Sequence, residues 1–372
     1  MVPDLDVFRD TVAHRRPARI LYHFSCTPDL DERLKKHVAS KAGLALSETT
    51  RVGGEGDYYR HYGCWNAWHF GPNRPDGVQP PDYSKYWKKD EMPPGAWINH
   101  LGVMEVPSGF HHFTGYVSPL RNATSLREIE DYRVQDPALL DCSHFPGIVR
   151  DAHAAGCPAV IFPGHMYENS WQARGYEPFL EDMIERPAWA ECMLEKFFLY
   201  NLHVAVLAAK AGADLIQCGD DVANQGALMF SVPMWRKFIH SRWAKVWRAI
   251  KEANPATAIH YHSDGNVTAI IPDLVDAGLD VLNPVQPECV DTDAIHRQWG
   301  KRLSFDGCIG TQTTMPFGTP AQVRARVKEC IDKYGREGGL FLSPTHVLEP
   351  EVPIANIEAF AAACREYGVF NE

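Results

Sequence analysis

The chain has 372 residues, 45% of them hydrophobic and 23% charged, a globular composition long enough to bury a core as one α/β barrel with insertions. A formal net charge of −10 without a Lys/Arg stripe excludes nucleic acid as an expected partner. Residues 1–17 are acidic from the start and lack the apolar stretch of a secretory signal, and no apolar run is expected to span a bilayer.

In chain order, a strand at 19–23 followed by a helix at 30–42 forms the opening β/α unit. Residues 51–120 are rich in Gly, Pro, His and aromatics and hold Trp65, Trp68, Trp87 and Trp97. They read as an insertion, either over the barrel mouth or as a hairpin packed on its side, and His111 and His112 within it read as surface residues rather than ligands. From about residue 155 onward, short apolar runs alternate with segments of helical period, placing strands at 158–162, 213–218, 258–262, 281–283, 303–305 and 340–342. Helices are expected at 233–252, 319–334 and 353–367, with Pro233, Pro320 and Pro353 at their starts, where the first N–H lacks an intrahelical partner anyway. Seven units are visible, and the eighth is expected before residue 130. The absence of a fixed-period repeat or a low-complexity linker makes 1–372 a single domain. Ten scattered cysteines with no CxxC pair fit a reducing cytoplasm.

The sharpest chemical signal is His260-Tyr261-His262-Ser263-Asp264-Gly265-Asn266, a strand running into a Gly-containing turn. Side chains two apart on a strand share a face, so His262 and Asp264 converge at the C-terminal mouth of a barrel. Taken singly, His262 is equally a hydrogen-bonded core histidine and Asp264 a helix cap. The last strand adds His346 to the same rim, and two imidazoles with one carboxylate leave coordination positions open, as catalytic metal sites do. In Gly219-Asp220-Asp221 one carboxylate is expected to face the axis; Asp220 is taken as that residue, with Gln225 as a substrate hydrogen-bond donor, unless both aspartates cap helices. His165 and Asp306 are further catalytic candidates at strand ends, and Tyr167, Asn283 and Gln286 are candidate substrate contacts.

These residues together resemble the uroporphyrinogen decarboxylase superfamily, which includes the corrinoid-dependent methyltransferases. The resemblance runs over most of the chain and is strongest at 211–368, through AGADLIQCGDD, HSDGN, AGLDVLNPVQ, SFDGCIG and LSPTHVLEPEVPIANIEAF. It implies a (β/α)8 TIM barrel. The decarboxylases carry propionate-gripping arginines after the first strand, where this chain reads His23-Phe24-Ser25-Cys26-Thr27-Pro28-Asp29, although His346 matches one of their histidine positions. The methylcobamide:coenzyme M methyltransferases bind zinc through a His-x-Cys-Gly motif and a later Cys; the matching positions here are His262, Asp264 and His346. Imidazole and carboxylate in place of thiolate leave zinc a harder Lewis acid suited to oxygen ligands.

The resemblance therefore implies a zinc-dependent methyltransferase moving a methyl group from a small, methoxylated substrate to a corrinoid on a partner protein. It leaves a homodimer open. The alternatives are a non-haem iron(II) oxygenase built on the same three ligands, a metal-free decarboxylase or lyase using Asp220 or Asp306 with His346, and a binding barrel without chemistry.

Overall fold

The computed structural model describes residues 2–43, 58–88, 90, 92–108 and 114–370, so His111 and His112 lie outside the described residues. In chain order the strands are β1 (Leu21–Tyr22), β2 (Trp68–Phe70), β3 (Trp97–Ile98), β4 (Met104–Pro107), β5 (Thr114–Val117), β6 (Ala159–Ile161), β7 (Leu215–Gly219), β8 (Ala258–His262), β9 (Val281–Val285), β10 (Ser304–Ile309) and β11 (Leu340–Pro344). Eight of them form one parallel sheet in the order β1-β11-β10-β9-β8-β7-β6-β2. The ends of that sheet meet where the Trp65 N–H donates to the Tyr22 carbonyl at 3.1 Å, closing the curl into the expected (β/α)8 barrel.

All seven strands read from the sequence are present, with β9, β10 and β11 running two to four residues further than expected. The eighth is β2, pairing Trp68 to Ala159 and Phe70 to Ile161. Part of the 51–120 segment is thus barrel wall, which corrects its reading as insertion throughout. The added structure follows β2: an antiparallel sheet in the order β3-β4-β5, whose Tyr116 packs edge-on against Trp171 at 5.7 Å.

The walls are apolar on both faces because helices cover the outside. The helix Val232–Trp235 continues through a wider π-type turn at Arg236–His240 into Ser241–Ala253. Trp235, Trp243 and Trp247, spaced at helical intervals, are all buried against the wall, and side chains of this size contribute about 2–3 kcal/mol each. The helix Pro320–Cys330 starts from a capping box in which Thr319 and Gln322 bond each other's backbone N–H groups. Pro233 and Pro320 lie in first turns as expected, whereas Pro353 is the cap preceding Ile354–Tyr367. One helix, Pro187–Ala211, has the length and mean hydropathy (1.3) of a bilayer-spanning segment, contrary to the expectation that no such run exists. Half of that window is buried inside the protein, with Leu194, Phe197 and Val204 in the core.

Candidate active site

Alternate residues of each wall strand face the barrel axis, and they change character from one end to the other. At the N-terminal end Leu21, Val160, Leu215, Ala258, Val281 and Phe341 form an apolar floor, packed from beneath by Val7 and Phe8 of the helix Asp4–Val12. One rung higher, His23, His69, Gln217, His260 and Asp306 surround a cavity of about 290 Å³, with Trp65 completing its side. Higher still, at the strand ends, stand Asp221, His262 and Asp264.

In the middle rung Asp306 accepts from Ser343 Oγ at 2.9 Å and meets His23 Nε2 and His260 Nε2 at 3.3 Å each. Burial alone would raise the pKa of this carboxyl, but the two imidazoles outweigh it and hold Asp306 well below the usual carboxylate range. It is a buried anion.

At the mouth, one ligand atom from each of Asp221, His262 and Asp264 lies within 4.8 Å of the other two. His262 Nδ1 is 2.6 Å from Asn283 Oδ1, so Nδ1 carries the proton and Nε2 presents its lone pair 3.5 Å from Asp221 Oδ1. Two ligands of a tetrahedral ion with bonds of ~2.1 Å are about 3.4 Å apart, so that spacing suits a shared cation. Asp264 donates its N–H to Asp221 Oδ1 at 2.8 Å, while its own Oδ1 is buried with no hydrogen-bond partner. Burial, countered by His262 and reinforced by Asp221, pushes the Asp264 carboxyl up. A buried carboxylate oxygen left unpaired is costly, and a cation is the partner that relieves it. The donor set thus fits a hard or borderline divalent ion.

Two glycines make this geometry attainable. A Cβ at Gly219 would stand 2.8 Å from the Cβ of His262, and one at Gly265, whose φ is +87°, would stand 2.4 Å from the Asn224 carbonyl oxygen. The turn carrying Asp264 therefore seats directly on the loop carrying Asp221.

The other anticipated residues fall in different places. His346 does not join the three-residue cluster: its half-exposed ring puts Nε2 3.9 Å from Asp264 Oδ2. Asp220 does not face the mouth. It is fully buried, accepting from Met166 N, Glu168 N and Trp243 Nε1 at 2.8–3.1 Å, because the axis-facing alternation Leu215, Gln217, Gly219 continues to Asp221. Burial pushes its carboxyl up to about 7. Asp220 forms a second group with His165 and Glu168, in which His165 Nδ1 lies 2.8 Å from the Gly219 carbonyl and 3.0 Å from Glu168 Oε1. Burial opposes protonation of His165, but Glu168 and Asp220 prevail and raise it to about 9.

Tyr167 is a core residue packed on Phe179 and Phe230, out of reach of any substrate. Gln286 is buried and accepts the Gly265 N–H at 3.1 Å, and the exposed Gln225 pairs with Gln312 at 2.9 Å; both brace loops. Asn283 positions His262 through the 2.6 Å bond of its Oδ1 to Nδ1. Asp306 lies deeper than the strand end, in the cavity. Asp221, His23, His69 and Gln217 were missed, although a two-residue count along β1, β2 and β7 points to each of them.

Comparison with known proteins follows the same outline. The family model for uroporphyrinogen decarboxylase (URO-D) matches residues 154–367. No curated protein matches the sequence. Among solved structures, a methyltransferase from Methanosarcina mazei is similar at a TM-score of 0.62 and 17% identity, covering 98% of both chains, a likeness of fold. A putative vitamin-B12 independent methionine synthase from Listeria monocytogenes gives a TM-score of 0.40 at 13% identity, over 96% of this chain and 99% of that one.

Proposed function

The chain belongs to the uroporphyrinogen decarboxylase family, and on that premise we propose that it is a methyltransferase holding a divalent metal ion at Asp221, His262 and Asp264. The observation that carries this reading is the convergence of those three ligand atoms within 4.8 Å, one of the carboxylates keeping a buried, unpaired oxygen. The substrate is a small methoxylated molecule, and the acceptor is a reduced corrinoid on a partner protein, in line with the corrinoid-dependent branch that the motif positions resemble. When bound, the ion polarises the ether oxygen and makes the methyl carbon a better electrophile.

The chain's own residues do the rest. Asn283 fixes the His262 tautomer, so that Nε2 points to the ligand position. Asp221 and Asp264 supply anionic oxygens and, through the 2.8 Å bond between them, hold each other in place. With the methyl group going to the corrinoid, the electron pair of the broken C–O bond would stay on oxygen, and His346, the imidazole 3.9 Å from Asp264, would supply the proton that oxygen takes up. Zinc is the ion favoured. Two carboxylates with one imidazole depart from the two-histidine triad of iron(II) oxygenases, a reading that would need His346 to swing in. Ten cysteines, none in a disulfide, suit a cytoplasmic enzyme.

Elemental analysis of the purified chain tests the proposal. About one zinc per chain is expected, lost in Asp221→Ala and His262→Ala while the far-ultraviolet circular dichroism spectrum is kept. A protein that arrives without metal and demethylates at the same rate under chelation would sink it.

A further inference from the structure

The cavity lies between the apolar floor, whose Val160, Leu215, Val281 and Phe341 also line it, and the mouth cluster at the strand ends. Its volume of about 290 Å³ exceeds the ~150 Å³ that accommodates a benzene ring, leaving room for substituents. One side is flat and apolar: Trp65 lies 5.9 Å from Phe341, with the His23 ring edge-on to it at 6.3 Å. Other lining groups are polar. Gln217 and His69 are among them, and neither side chain has a hydrogen bond among the described residues. Burial, with His23 nearby, lowers the His69 pKa, which favours the neutral ring, a donor or acceptor.

An aliphatic occupant would leave Gln217 and His69 unpaired. An anionic one would be placed beside the buried Asp306 carboxylate, where repulsion is poorly screened. His260, which lines the cavity, stands two residues before His262 on the same face of β8, ~6.6 Å along the strand, so a ring here puts a short substituent at the mouth. We infer that this cavity is the substrate's ring subsite, taking a small uncharged aromatic compound with a hydroxyl or ring N–H, oriented by Gln217 and His69, with Asp306 selecting against anions. Ring binding stands on the cavity alone; only the placement of the reacting methoxyl depends on the proposed function.

Titration calorimetry of the purified chain with phenol and with benzoate, alongside metal analysis of the same samples, tests this. Phenol is expected to bind at least tenfold more tightly than benzoate. Gln217→Leu, a near-isosteric change at a side chain open to the cavity, is expected to weaken phenol about tenfold, the effect of one neutral hydrogen bond. Asp306→Asn is expected to close the gap between phenol and benzoate; if that variant does not fold, Gln217→Leu and His69→Leu decide. Equal affinity for the two ligands, or phenol binding untouched in both Gln217→Leu and His69→Leu, overturns the inference. Phenol binding to a chain without metal supports it while removing the metal reading, and metal without phenol binding does the reverse.

Discussion

Between Asp220 and Asp221 a single peptide bond separates a carboxylate whose acceptors are filled from one that faces the mouth. Asp220→Ala orphans three donors, two of them buried, and is expected to cost about 3 kcal/mol in urea unfolding, whereas Asp221→Ala should change stability by less than about 1 kcal/mol and remove the metal. Asn283→Ala frees the His262 ring, and metal affinity in a chelator competition should fall about 10- to 100-fold. His165 has a further consequence. Its folded pKa, raised to about 9, means that its contribution to stability is complete below about 6.5 and is lost as pH rises through 9. Asp220, raised to about 7, loses its contribution in the same direction from about 4 upward, and the lowered Glu168 works oppositely at the acid end. The melting-temperature difference between wild type and His165→Gln should therefore shrink from pH 6 to pH 9.5; a difference that grows would remove this account. His262 and Asp264 were legible because both sit on a strand and its immediate extension, where the count of two still holds. His346 was harder to place, since it follows two residues after β11 ends and no periodicity governs its direction.

The strands from β6 onward announce themselves as apolar runs between turn residues, because both of their faces are buried. β2 does not. It is three residues long, its axis-facing residue is the polar His69, and Trp68 and Phe70 beside it look like the aromatic segment that follows, so nothing in the pattern marks it as wall. The antiparallel trio β3-β4-β5 falls where the sequence left open a hairpin packed on the barrel side. Turns were more readable in kind than in contact: the glycine in His262–Asn266 signals a turn, but only the fold shows the Asn224 carbonyl pressed against it. Gly265→Ala should cost about 2 kcal/mol, combining a positive φ with that clash, and should weaken metal binding because Asp264 moves with the turn. Chemical unfolding and metal titration of this one variant check both halves.

The barrel as a whole is graded along its axis, from apolar floor to imidazole and carboxylate ring to acidic mouth. The fold class was legible from the succession of β/α units, while the grading was not, because it depends on which residue of each strand stands level with which residue of the next. The helix Asp4–Val12 sets the lower limit through Val7 and Phe8. Phe8→Ala, deleting a ring stacked toward Trp65 and Phe341, is expected to cost about 3–5 kcal/mol and to admit water from below, which calorimetric melting and phenol titration would both register. That plug closes the lower end of the barrel among the described residues, and the proposed reaction would then use the mouth as its doorway. On the proposed function, a demethylated product would leave by the way its precursor came in, past the corrinoid protein that collects the methyl group. Traffic would then be sequential, with the collector undocking before the spent ligand departs, and an excess of collector should slow steady turnover instead of hastening it.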